Sequence, residues 1–196
     1  MINQLISGRI TSVGDGIAYI LSTLVVIFLT LPIHEFAHGL AASKLGDPTP
    51  RYQGRLTLNP LAHIDYIGAA CILLVGFGWA KPVGVNPTYF KHPKRDMAIT
   101  ALAGPVSNLI VALISLIICN IFRYLLTGAV FFYFAIFFFY IASINVSLAV
   151  FNLIPIPPLD GSRLLSALLP DRQYYALMRY ERYIFFALMA LIWLGV

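Results

Sequence analysis

Hydrophobic positions in this chain fall in long runs, with most of the charged residues in the breaks between them. Ile17 to Leu45 is one such run, closed by Lys44, Gly46 and Pro48. A helix needs about 20 residues to cross the hydrocarbon core of a bilayer, so this run crosses it and emerges. Met97 to Phe122 and Ala129 to Phe151 predict two more spans, joined by the tight turn Arg123 to Gly128. Ile67 to Trp79 is equally apolar but has only 13 residues, which predicts a re-entrant or shallow segment. Met1 to Gly16 is mildly amphipathic and ends in Gly14-Asp15-Gly16, a breaker that suggests an interfacial or shallowly dipping segment. Gln173 to Val196 starts charged and tyrosine-rich and turns purely apolar from Tyr183. Arg51 to Leu58 reads as a short hairpin or an edge strand, followed by the turn Asn59-Pro60. The predicted fold is an all-α polytopic membrane protein, a bundle of transmembrane helices forming one membrane-embedded domain over residues 1–196.

Composition supports that medium. The 196 residues are 60% hydrophobic and 11% charged, against about 25% charged in soluble domains. The net charge of +5 is spread over the loops between apolar runs, which points to membrane orientation rather than to nucleic acid. Cys71 and Cys119 lie deep in apolar runs, too few for a thiolate metal site and too isolated for a disulfide framework.

Chemistry enters at His34-Glu35-Phe36-Ala37-His38, inside the first span. Residues four apart share a helix face, so both imidazoles can address one Zn²⁺, with Glu35 placed as general base toward a water. Three ionisable groups in so apolar a segment would otherwise each need a partner where water is scarce. Pro32, two residues earlier, removes a helical hydrogen bond and predicts a bend. Ala101, Gly104 and Ser107 mark a small-residue packing face on the second span. Asn108 needs a polar partner at that depth. Asn145 and Asn152 share a face of the third span that looks into the bundle.

Asn152-Leu153-Ile154-Pro155-Ile156-Pro157-Pro158-Leu159-Asp160-Gly161 breaks the chain after the third span. Such a segment is tolerated at membrane depth only inside protein or beside a wet cavity. Catalytic zinc takes three protein ligands, and the motif supplies two. No histidine follows His38 at the spacing of the longer soluble zinc-protease pattern. Asp160 has the most distinctive setting among the acids, since Asp15, Asp47, Asp65, Asp96 and Asp171 sit in ordinary turns or loops. It is the candidate third ligand; alternatively it N-caps a helix from Gly161 to Leu169. His63 and Asp65 are candidates for outer contacts, or are simply solvated, as His92 is expected to be.

His34-Glu35-x-x-His38 in a membrane helix, Gly104-Pro105-x-x-Asn108 and Asn152-x-x-Pro155-x-Pro157-Pro158-Leu159-Asp160-Gly161 together resemble the site-2 protease family of intramembrane zinc metalloproteases. Asn59-Pro60 and Gly78-Trp79-Ala80-Lys81-Pro82-Val83 resemble its small prokaryotic branch, and the chain is too short for that family's appended PDZ or CBS modules. The resemblance covers Ile17 to Leu169. It implies one Zn²⁺ per chain held by His34, His38 and Asp160, with Glu35 activating water. Asn152 would position the substrate carbonyl or stabilise the oxyanion. The implied substrate is a transmembrane protein cut in or near its membrane segment, in a prokaryotic cytoplasmic membrane.

Two other classes fit the same residues: an ion or proton transporter using the His/Glu/Asp cluster as a relay, and a zinc-dependent membrane hydrolase of non-peptide substrates. Against the first, the chain shows no inverted repeat. If Ile67 to Trp79 is re-entrant, the basic loops all fall on one side, which the positive-inside rule makes cytoplasmic. The active site then faces the cytoplasm.

Overall fold

The computed structural model describes residues 12–75 and 78–194. The described residues are mainly helical, with no strand among them. Three helices have the length and hydropathy to cross a membrane: α1 (Val13–Lys44), α4 (Pro93–Tyr124) and α5 (Ala129–Asn152). Between and after them lie α2 (Thr49–Tyr52), α3 (Tyr66–Val75), α6 (Asp160–Leu168), α7 (Asp171–Met178) and α8 (Glu181–Leu194). The three spans agree with the apolar runs to within a few residues, and α3, at 10 residues, is too short to cross, as its run predicted. The first eleven residues of the expected amphipathic segment lie outside the described residues.

Two local expectations are corrected. Gly14-Asp15-Gly16 does not break the chain but lies in the first turn of α1. Ser12 caps that turn: its Oγ accepts from the Asp15 N–H at 3.1 Å, and the Asp15 carboxylate accepts from the Ser12 N–H at 3.1 Å. This reciprocal pair satisfies two helix-start donors and outweighs the weak helix propensity of two glycines. The hairpin expected over residues 51–58 is absent. Proline at 48 and 50 favours a helical first turn and withholds a ladder donor. Thr49–Tyr52 is therefore one turn of helix, and Gly54 at φ +65° reverses the chain.

Chain contacts divide the molecule into two units. One comprises Met1–Ile33, Leu58–Lys81 and Asn108–Leu148, the other His34–Thr57, Pro82–Ser107 and Ala149–Val196. In the first, Ser22 donates from Oγ to the carbonyls of Ala18 (2.7 Å) and Phe137 (2.9 Å). Tyr19 meets Tyr140 edge to face at 5.4 Å, and Phe122 stacks on Phe134 and Phe138. Asn108 and Asn145 are fully buried. Asn145 donates to the Ile141 carbonyl at 2.9 Å. Leu31 donates back to Val26, so Val26–Thr30 is a π-helical turn just before Pro32. A widened turn there accommodates the missing donor and ring of the proline. Asp65 caps α3, accepting from Ile67 and Gly68 N–H groups. His63 is fully buried rather than solvated. His92 is exposed, as expected.

Leu113 and Ile117 of α4 and Phe132 and Val150 of α5 are more than half exposed. An apolar surface this extensive is an aggregation liability in water and matches the solvent in a bilayer. The protein is a multi-pass membrane protein.

Candidate metal centre

The second unit carries the chemistry. His34 and His38 stand one turn apart on α1, both nearly fully buried. Their Nε2 atoms lie 3.0 Å from each other. Asp160 Oδ2 lies 3.2 Å from each of them. A tetrahedral ion with bonds of about 2.0–2.1 Å spaces its ligand atoms about 3.3–3.4 Å apart, so this triangle has nearly the edges that zinc requires. The three residues form a group that can hold a metal ion. His38 Nδ1 donates to the Thr100 carbonyl at 2.8 Å. That bond fixes the ring tautomer and leaves the Nε2 lone pair directed into the triangle.

Asp160 reaches the histidines because of the chain around it. Residue 159, not 160, is the N-cap of α6, and no side chain caps this end. The capping alternative for Asp160 therefore does not apply; its carboxylate is turned to the imidazoles. Gly161 makes the approach possible. A Cβ there would lie about 2.5 Å from the Ile154 carbonyl oxygen and would press on the Leu153 carbonyl as well, and backbone atoms have little freedom to yield.

Glu35 lines a cavity of about 280 Å³ with His38, Asp160, Thr100, Pro158 and Arg163. Its Oε2 accepts from the Val83 N–H at 2.9 Å. Asn152 ends α5, half-buried, and does not line that cavity. Within this unit the structure thus brings together His34, His38 and Asp160, with Glu35 on the adjoining cavity.

Several contributors were not among the predicted site residues. Gly104, expected as a packing residue, is packed against the site itself. A Cβ there would lie 2.6 Å from His34 Nε2 and Cε1 and would collide with His38 Nε2. Thr100 acts through its carbonyl, which no motif encodes. Arg163, three residues after Asp160, donates to Glu181 at 3.1 Å while lining the cavity. Asp47, an ordinary turn acid by its sequence setting, is fully buried.

The family model "Peptidase family M50" matches residues 22–195. Bacillus subtilis (strain 168) has a relative named "Putative zinc metalloprotease YwhC", 40% identical over 176 residues, or 88% of this chain and 79% of that protein. "Putative zinc metalloprotease Rip2" of Mycolicibacterium smegmatis is 33% identical over 68% of this chain and 51% of its own length. "Zinc metalloprotease MJ0392" of Methanocaldococcus jannaschii is 26% identical over 77% of this chain and 35% of its own length. No solved structure matches. A buried two-histidine, one-carboxylate triangle in a membrane helix bundle agrees with those names, and the chain belongs to peptidase family M50, the site-2 proteases, as a membrane zinc metalloprotease.

Proposed function

We propose that this protein hydrolyses peptide bonds in or near transmembrane segments of membrane proteins. The convergence of His34, His38 and Asp160 on one point, with Glu35 on the same cavity, carries this reading. In it, His34, His38 and Asp160 hold one Zn²⁺ per chain. When bound, the ion supplies Lewis acidity and lowers the pKa of water at the site toward about 7. The Glu35 carboxylate takes the proton of the attacking water and returns it to the leaving amine nitrogen, the usual exchange for a general base turned acid. Thr100 holds His38 in the tautomer that keeps Nε2 unprotonated. Asn152 stands off this cavity; it is the family resemblance that assigns it to positioning the substrate carbonyl or stabilising the oxyanion. A helical peptide bond is shielded by its own hydrogen bonds, so the substrate segment must unwind before it is cut.

The test is cleavage of a single-span membrane protein by the purified chain in detergent, with bound metal measured in parallel. Glu35→Gln is expected to keep zinc near one per chain and to lose activity by about a hundredfold or more, the scale of general-base contributions. Turnover at the wild-type rate in that variant would overturn the mechanism.

A further inference from the structure

The segment Pro82 to Asn86, between α3 and α4, is attached to the rest of its unit through its backbone N–H groups. Val83 donates to Glu35 at 2.9 Å, Gly84 to the Gln53 side-chain oxygen at 3.0 Å, and Asn86 to Asp47 Oδ2 at 2.7 Å. The same Asp47 accepts from the Thr49 N–H through Oδ1 at 2.9 Å. Asp47 is 0% exposed. A carboxylate removed from water is tolerated only when its oxygens are hydrogen-bonded, and here both oxygens receive backbone donors. One of those donors, Thr49, opens α2; the other belongs to the strap that touches Glu35. Pro82, Val83 and Val85 of the strap line the same cavity as Glu35, His38 and Asp160.

We propose that Asp47 is a positioning residue for peptide hydrolysis. By clamping Asn86 to the turn after α1, it seats the strap so that the Val83 amide fixes the Glu35 carboxylate. One oxygen of Glu35 is then tied down, and its rotation about the terminal bond is restricted before substrate arrives. That restriction is the kind of preorganisation that raises turnover without adding a contact to the substrate. The inference rests on Glu35 being the general base.

The experiment compares wild type, Asp47→Asn and Gln53→Ala as full chains in detergent. It reads bound zinc, kcat and KM on a transmembrane substrate, and hydrogen–deuterium exchange of the amides at 83–86. Asp47→Asn keeps the shape and removes the charge; loss of a charge-assisted bond is expected to lower kcat about tenfold or more. Zinc should stay near one per chain, KM within about twofold, and exchange at Val83 and Asn86 should quicken. Gln53 is exposed, so Gln53→Ala leaves the fold intact and releases only the Gly84 anchor. A smaller kcat loss with the same signature is expected there. Unchanged kcat and unchanged Val83 exchange in Asp47→Asn would overturn the proposal. So would zinc loss in Asp47→Asn together with wild-type kcat and Val83 exchange in Gln53→Ala, because Asp47 would then act only by holding the fold. A wild-type protein that binds zinc but cleaves nothing would overturn the hydrolase reading instead, and the exchange data would still decide whether Asp47 seats Val83.

Discussion

Gly104 illustrates how much a single hydrogen atom decides at this site. It follows Thr100 by one helical turn on α4, so the carbonyl that orients His38 and the gap that admits both imidazoles come from one helix face. Any side chain at 104 meets ring atoms well inside van der Waals contact. Gly104→Ala is therefore expected to push His34 and His38 apart and to weaken zinc binding by about tenfold or more, read by competition against a metal chelator. Leu102, on the same helix, is exposed, and Leu102→Ala is the control; it should leave metal affinity unchanged. His34→Ala, His38→Ala and Asp160→Ala are each expected to lower zinc occupancy, since each removes one of three ligands. Retention of full occupancy in any of them would remove that residue from the ligand set.

At the level of elements, the spans were legible because lipid demands unbroken apolar length, and no tertiary detail changes that demand. His34, Glu35 and His38 were legible for a similar reason: their relation is local, set by the helix period alone. Asp160 was legible as a candidate because three prolines and a glycine surround it. What stayed hidden depends on distant backbone. The Thr100 carbonyl, the Val83 amide and the burial of Asp47 arise when separate segments meet, and residue types do not announce them. The hairpin or edge strand expected over residues 51–58 gives way to a helical turn because Pro48 and Pro50 favour that turn and withhold ladder donors. The turn into α6 gives this scale its prediction. Gly161 packs against the carbonyls of Leu153 and Ile154. Gly161→Ala should displace the first turn of α6, reducing zinc affinity while α4 and α5 stay helical by circular dichroism. Unaltered affinity would mean that the Leu153–Leu159 turn adapts without moving Asp160.

For the whole molecule, charge predicts an orientation. Lys44 ends α1, and Arg51 and Arg55 follow it; Lys81 and Lys91 lie between α3 and α4, with Lys94 and Arg95 in the first turn of α4; Arg163, Arg172, Arg179 and Arg182 follow α5. Arg9 and Arg123 are the other two basic residues. With the three long helices as crossings, the positive-inside rule predicts that these three basic regions face the cytoplasm. His38 precedes Lys44 by six residues, about 9 Å of helix, so the metal centre should open toward the cytoplasm. Single cysteines at 91, 126 and 172, in a background lacking Cys71 and Cys119, test this with a membrane-impermeant thiol reagent on intact cells. Labelling is expected at 126 alone; labelling at 91 or 172 with 126 protected would reverse the orientation. The ligand triangle has a thermodynamic side as well. His38 and Asp160 are separated by more than a hundred residues of chain, so an ion joining them acts as a removable cross-link. Closing a loop of that length restricts the unfolded chain by up to about 5 kcal/mol in the entropy model for cross-links, less where the spans stay inserted and already limit the ends. Chelation should therefore lower the melting temperature of the wild-type protein and leave that of Asp160→Ala where it was.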